Sequence, residues 1–195
     1  MKKVAIVFPG QGSQRQGMMQ GFAENATVRG TMAQASAALG QDLWALIETG
    51  AAEELNATVN TQPVMLAASY AMYRAWQEAG GPQAAVMAGH SLGEYTALVA
   101  AGALAFTDAV PLVRFRAQAM QEAVPLGTGG MAVIMGLDAD AVRAACAEAA
   151  QGDVVEAVNF NDQNQIVIAG LKAAVDRACA AAKARGAKRA LPLPV

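Results

Sequence analysis

The sequence is poor in charge, in aromatic rings and in cysteine, and it holds a single histidine. Of its 195 residues 15% are charged, 5% are aromatic and 54% are hydrophobic, and 14 Lys and Arg against 16 Asp and Glu leave a net charge of -2. A chain this apolar is not disordered. Without a long basic run it offers no surface that tracks phosphates, so nucleic acid is not an expected partner. The two cysteines, Cys146 and Cys179, form neither a disulfide framework nor the paired spacing of a zinc site, and one histidine leaves no histidine-rich metal site. Both read as buried or half-buried thiols on helices. The most apolar stretch, Ala97 to Phe106, falls well short of the ~20 residues that cross a bilayer, so no membrane span is expected. Lys2 and Lys3 before Val4–Phe8 imitate a secretion signal, but the run stops at Pro9-Gly10, short of the ~7–15 apolar residues such a region needs. The protein is therefore read as cytoplasmic.

A chain of this length forms one large domain or two small ones and buries roughly 70% of its unfolded surface without staples. Residues 3–8 read as a short buried strand ending in the turn Pro9-Gly10-Gln11-Gly12. Helical spacing follows from Phe22 to Leu55, broken by Gly40 and Gly50. A helix is predicted over Val64–Ala79, with Pro63 in its first turn and Gly80-Gly81 closing it. Ala84–Ala88 reads as strand, Gly89–Gly93 as a sharp turn, and Glu94–Ala101 as helix. Another helix, capped by Thr107, runs to about Val124. After a glycine-rich stretch the order becomes strand Met131–Met135, helix Asp138–Ala150, strands Val154–Asn159 and Gln165–Ala169, helix Leu171–Arg185 and strand Arg189–Pro194. That βαββαβ order is the ferredoxin-like unit. The expected fold class is thus α/β: a large domain over 1–126 built on a parallel sheet, then a small α+β domain over 130–195. Two convincing strands make a thin first domain, and the chain stops in the closing strand of the second, so the sequence reads as part of a longer one.

Gly89-His90-Ser91-Leu92-Gly93 matches G-x-S-x-G, in which a tight strand-to-helix turn lifts a serine above the sheet. Its glycines are expected where side chains would collide across the turn. Ser91 is the candidate nucleophile; the alternative is a serine that merely caps the helix. His90 is adjacent to Ser91 and points elsewhere, so packing or hydrogen bonding under the turn suits it better than service as a base. The residue after the nucleophile, Leu92, is placed to give one oxyanion N–H, and Gln11 in the first turn suits the other, or is an ordinary turn residue. The first turn carries neither a phosphate-loop nor a dinucleotide pattern. On the helix after Thr107, positions 109, 112, 113, 116, 120 and 123 share one face, so Arg116 interrupts an apolar stripe, whereas Arg114 goes with the polar face. A guanidinium against apolar surface wants a carboxylate, internal or from a substrate. Lys183, Arg185, Lys188 and Arg189 cluster where the last helix ends, as its dipole favours, or as a patch for an acidic partner.

Phe8-Pro9-Gly10-Gln11-Gly12-Ser13-Gln14, Thr61-Gln62-Pro63, Gly89-His90-Ser91-Leu92-Gly93-Glu94-Tyr95, Arg116, Met120-Gln121-Glu122-Ala123 and Asn159-Phe160-Asn161 together resemble, in order, the N-terminal part of the malonyl-CoA:acyl carrier protein transacylase family. The resemblance implies a hydrolase-like large domain with a ferredoxin-like domain inserted, and a ping-pong reaction. It implies that Ser91 takes malonyl from coenzyme A, that Gln11 and Leu92 hold the oxyanion through backbone N–H groups, and that Arg116 clamps the malonyl carboxylate. Gln62 and Asn161 line the cleft in this reading, and His90 supports the elbow. The partners are malonyl-CoA and acyl carrier protein, which brings its own phosphopantetheine; no cofactor or metal belongs to the chain. The family's catalytic histidine follows the small domain's last strand, in a segment that would begin after Val195. A serine hydrolase or thioesterase using the same elbow, an inactive fragment that still binds carrier protein, and a relative preferring another extender unit are the competing readings.

Overall fold

Val4–Phe8 forms β1 and Ala84–Gly89 forms β2. Both are short apolar runs closed by glycine-bearing turns, and they pair in parallel with Phe8 opposite Gly89. The computed structural model describes residues 3–125 and 127–193. It divides the chain into two compact units, Met1–Glu122 and Ala123–Val195. The protein is a mixed α/β chain with one two-stranded parallel sheet and one four-stranded antiparallel sheet.

In the first unit a 3-10 turn at Gln20–Phe22 precedes α1 (Ala26–Leu39), α2 (Leu43–Thr49) and α3 (Ala52–Asn56). Gly40 and Gly50 cap α1 and α2, as their positions in sequence predict. Asn25 and Asp42 open these two helices by accepting from the backbone N–H three residues on. The fourth helix, α4 (Thr58–Glu78), is buried almost all round from Asn60 to Ala71, the pattern of a helix through the middle of a core. Val28, Met32, Leu43, Ile47, Val64 and Leu66 pack together there.

The expected helix start at Pro63 is corrected: α4 begins at Thr58, and Pro63 lies inside it. A proline in that position removes one helix hydrogen bond. The preceding turn is held instead by side chains. Thr61 Oγ1 donates to Leu55 O at 2.7 Å and Asn60 Nδ2 donates to Glu54 O at 2.9 Å. After β2, α5 (Leu92–Ala100) and α6 (Phe106–Ala123) complete the unit. Thr107 does not cap α6; Ala105 opens it, its carbonyl accepting from Asp108 and Ala109.

The second unit contains β3 (Gly129–Met135), α7 (Ala139–Ala150), β4 (Val155–Asp162), β5 (Gln165–Leu171), α8 (Lys172–Ala184) and β6 (Arg189–Leu193). The predicted extension of the last strand to Pro194 lies outside the described residues. The strand order is β4-β5-β3-β6, antiparallel throughout. On one face Ala132, Ile134, Ile166 and Ile168 meet Val142, Ala145, Ala149, Ala174 and Ala178 from the two helices. Cys146 is buried in this core and Cys179 is half-buried, both free, and burial pushes both thiols up in pKa. Asp138 caps α7 at its start, accepting from Ala141 N–H. Arg177 closes the other end, with Nε donating to Ala149 O at 2.8 Å and Nη2 to Ala150 O at 3.0 Å, while pairing with Asp153. Among the described residues no helix is long and apolar enough to cross a membrane.

Arg177 thus satisfies two terminal carbonyls with one charged group. Arg177→Met is expected to cost about 1.5–3 kcal/mol in denaturant unfolding, and Arg177→Lys should recover little, since a point charge cannot span the same acceptors. Asp138→Ala should cost about 1 kcal/mol by the same measurement.

Candidate active site

Because β1 and β2 run parallel and in register, the loops leaving their C-terminal ends, Pro9–Gln14 and His90–Leu92, lie side by side. The approach is close. A Cβ on Gly93 would come 2.3 Å from Phe8 O, and one on Gly89 would come 2.0 Å from the Gly93 carbonyl. Both elbow glycines are therefore dictated by backbone packing. Between them Ser91 takes φ 52° and ψ -111°, a strained conformation for a residue with a side chain. That turn leaves Ser91 exposed and makes Leu92 the first residue of α5. The Leu92 N–H has no partner within the helix by position, and it points from the positive end of the helix dipole.

Arg116 reaches this turn from α6. Its Nη2 donates to Ser91 Oγ at 3.0 Å and its Nη1 donates to Gln62 Oε1 at 2.7 Å. The guanidinium also lies 5.6 Å from the centre of the Tyr95 ring, one helical turn beyond Ser91. Gln62 is itself fixed: its Nε2 donates to Met120 Sδ at 3.4 Å, so Arg116 and Met120, four residues apart on one helix, grip opposite ends of one amide. The arrangement places a guanidinium at the Ser91 hydroxyl. Such a group favours negative charge on Ser91 or on a carboxylate-bearing acyl group attached to it.

The structure brings Ser91, Leu92, Arg116 and Gln62 together, and sets the Gln11 loop against the elbow. Gln62 has a relative exposure of 0% and lies beneath Arg116. His90 is exposed, and its carbonyl accepts from Gly93 N–H at 2.9 Å and lies against Gly10. One expectation, the apolar stripe of α6, is corrected. On α6 the buried stripe is Ala109, Val110, Val113 and Ala117, whereas Leu112 and Met120 are exposed. Arg114 consequently leaves the polar face and is half-buried, hydrogen bonded to Gln41, with burial lowering its pKa.

Asn161 lies on β4 in the second unit and is exposed. Lys183, Arg185, Lys188 and Arg189 are all exposed there, and Arg185 is paired with Glu148. Tyr95 and Met120 gained no role from the sequence alone, although each stands four residues after a candidate, Ser91 or Arg116. That helical spacing was the available signal. Asn56 and Thr58 carried no such signal, because their partners lie 42 and 47 residues away.

The acyl transferase domain family matches residues 5–192. The malonyl CoA-acyl carrier protein transacylase of Escherichia coli is 61% identical over 196 residues, covering 100% of this chain and 63% of the relative. The enzyme of that name from Bacillus subtilis is 46% identical over 198 residues and is covered to 62%. Among solved structures, an acyl-carrier-protein S-malonyltransferase from Burkholderia pseudomallei has TM-score 0.94 and 68% identity, with 100% of this chain and 63% of that one covered. A malonyl-transacylase in complex with a type II polyketide synthase acyl carrier protein has TM-score 0.95 and 56% identity, with the same coverage. This chain spans about 63% of the length of these relatives. The chain belongs to the acyl transferase domain family.

Proposed function

We propose that this chain carries the nucleophile, oxyanion loop and carboxylate clamp of a malonyl-CoA:acyl carrier protein transacylase serving fatty acid synthesis. The observation that carries the reading is Arg116, whose two nitrogens span Ser91 Oγ and the buried Gln62. An enzyme for neutral acyl groups has no use for a fixed guanidinium at that oxygen. A malonyl thioester brings a free carboxylate that a planar fork binds in two-point fashion.

In this reading Ser91 Oγ attacks the thioester carbonyl carbon of malonyl-CoA and gives up its proton to a base. The tetrahedral oxyanion takes hydrogen bonds from the Gln11 and Leu92 N–H groups. Its collapse breaks the carbon–sulfur bond and releases coenzyme A, leaving malonyl esterified to Ser91. The phosphopantetheine thiol of acyl carrier protein then attacks that ester, and Ser91 recovers its proton. His90, exposed and facing Gly10, is not the base. The resemblance assigns that role to a histidine outside the present sequence, and more than a third of each relative lies outside the match. Throughout, Gln62 and Tyr95 hold the guanidinium in place.

The same reading makes residues 1–126 the N-terminal portion of a hydrolase-like domain, supported by the parallel pair and its elbow. Residues 130–195 are then a ferredoxin-like domain, supported by the βαββαβ order. Malonyl-CoA and acyl carrier protein are its partners, and it needs no cofactor or metal of its own. Its setting is the cytoplasm, where Cys146 and Cys179 stay reduced.

Two measurements test it in the native full-length protein. Incubation with malonyl-CoA should add one malonyl group to the intact mass, and Ser91→Ala should abolish the adduct. Arg116→Ala should lower kcat/KM for malonyl-CoA by roughly 30-fold or more, from the loss of a charge-assisted pair of about 2–5 kcal/mol. Uncharged acyl-CoA should suffer far less; an unchanged malonyl-to-acetyl ratio would overturn the clamp.

A further inference from the structure

The loop that carries Gln11 has few backbone bonds to its surroundings, yet its glutamines Gln11 and Gln14, and Gln16 just beyond it, are tied to one neighbouring segment. Gln14 Oε1 accepts from the Gly12 N–H at 2.8 Å, and Gln14 Nε2 donates to Asn56 Oδ1 at 2.8 Å. Gln11 Nε2 donates to Thr58 Oγ1 at 3.1 Å. Gln16 Nε2 donates to Gly50 O at 3.2 Å. Asn56 ends α3 and Thr58 begins α4, so the acceptors for Gln14 and Gln11 lie at a single helix junction.

That junction also faces the other half of the site. Thr58 and Gln62 are four residues apart in α4 and share a face; one holds the Gln11 loop and the other holds Arg116. The first turn of α4 is locked in turn by Asn60 and Thr61, bonded to Glu54 O and Leu55 O. Gly12 has φ +98°, a conformation that leaves the loop soft unless something outside it sets the shape. Only Gln14 bonds both the loop's own backbone, at Gly12, and the α3–α4 junction.

We propose that Gln14 and Asn56 are positioning residues. Their hydrogen bond sets the Gly12 peptide and with it the direction of the Gln11 N–H, and registers the oxyanion loop against the Ser91–Arg116 pair through the end of α4. The proposal rests on the transacylase reading above. The bond makes no contact with reacting atoms, so its influence falls on the transition state and not on ground-state binding. Turning the Gln11 side chain toward Thr58 serves the same end, because it leaves the backbone N–H of that residue to the site.

The test is steady-state malonyl transfer by the native full-length protein, from malonyl-CoA to acyl carrier protein. The variants are Gln14→Met, Asn56→Leu, both together, and Asn56→Asp. Gln14→Met and Asn56→Leu should each lower kcat roughly tenfold with KM unchanged, less than the ~10²–10³-fold cost of deleting an oxyanion donor outright. The double variant should be no worse than Gln14→Met alone, since that substitution already removes the bond that Asn56→Leu breaks. Asn56→Asp still accepts from Gln14 Nε2 and should keep kcat within about twofold of the parent. An unchanged kcat in both single variants, a loss confined to KM, multiplicative losses in the double variant, or an Asn56→Asp protein as slow as Asn56→Leu would overturn the proposal. The unaltered protein and Ser91→Ala run alongside separate the failures: no transfer by the unaltered protein refutes the transacylase reading and full transfer by Ser91→Ala refutes its nucleophile, whereas loss of transfer in Ser91→Ala with normal kcat in Gln14→Met refutes only the tether.

Discussion

The site depends on the in-register parallel pairing of β1 with β2. With Phe8 opposite Gly89, the chain must leave both strands at the same end and in the same layer, and the two exits collide unless one is stripped of side chains. Gly93 against Phe8 O and Gly89 against the Gly93 carbonyl are the points of collision. Ser91 is the residue caught between, forced to a positive φ and so lifted clear of the backbone. A raised serine, a helix N-terminus and a neighbouring loop follow from that single packing constraint.

Around this turn three buried polar side chains sit near the N-terminal end of α4. Asn60, Thr61 and Gln62 each have a named partner. Burying them without partners would cost about 1–3 kcal/mol apiece. Their bonds hold the helix start that Pro63 weakens, support Arg116, and leave Thr58 beside the Gln11 loop. Helix end and site are one construction, and the second unit, with its alanine-lined helices and tight strand ladder, follows different rules.

What could be read from the sequence was whatever has a local signature. The elbow was legible because its glycines and serine sit within five residues. The βαββαβ order was legible from strong alternation and punctuation, and Arg116 from its break in an apolar stripe. The failures were all at places where partners are remote. Pro63 looked like a helix start because the bonds from Thr61 and Asn60 to the preceding turn override it. Arg114 looked solvated because its partner, Gln41, lies 73 residues away. The depth of Gln62 depends on how α4 meets α6, which no pattern within either helix encodes.

The two-stranded sheet has a consequence of its own. Phe8, with Tyr73 and Ala97, is buried on the helix side, while Val7 and Val86 on the other side remain 72% and 58% exposed. Parallel strands are ordinarily covered on both faces, so whatever covers Val7 and Val86 also fixes the backing of the Ser91 turn.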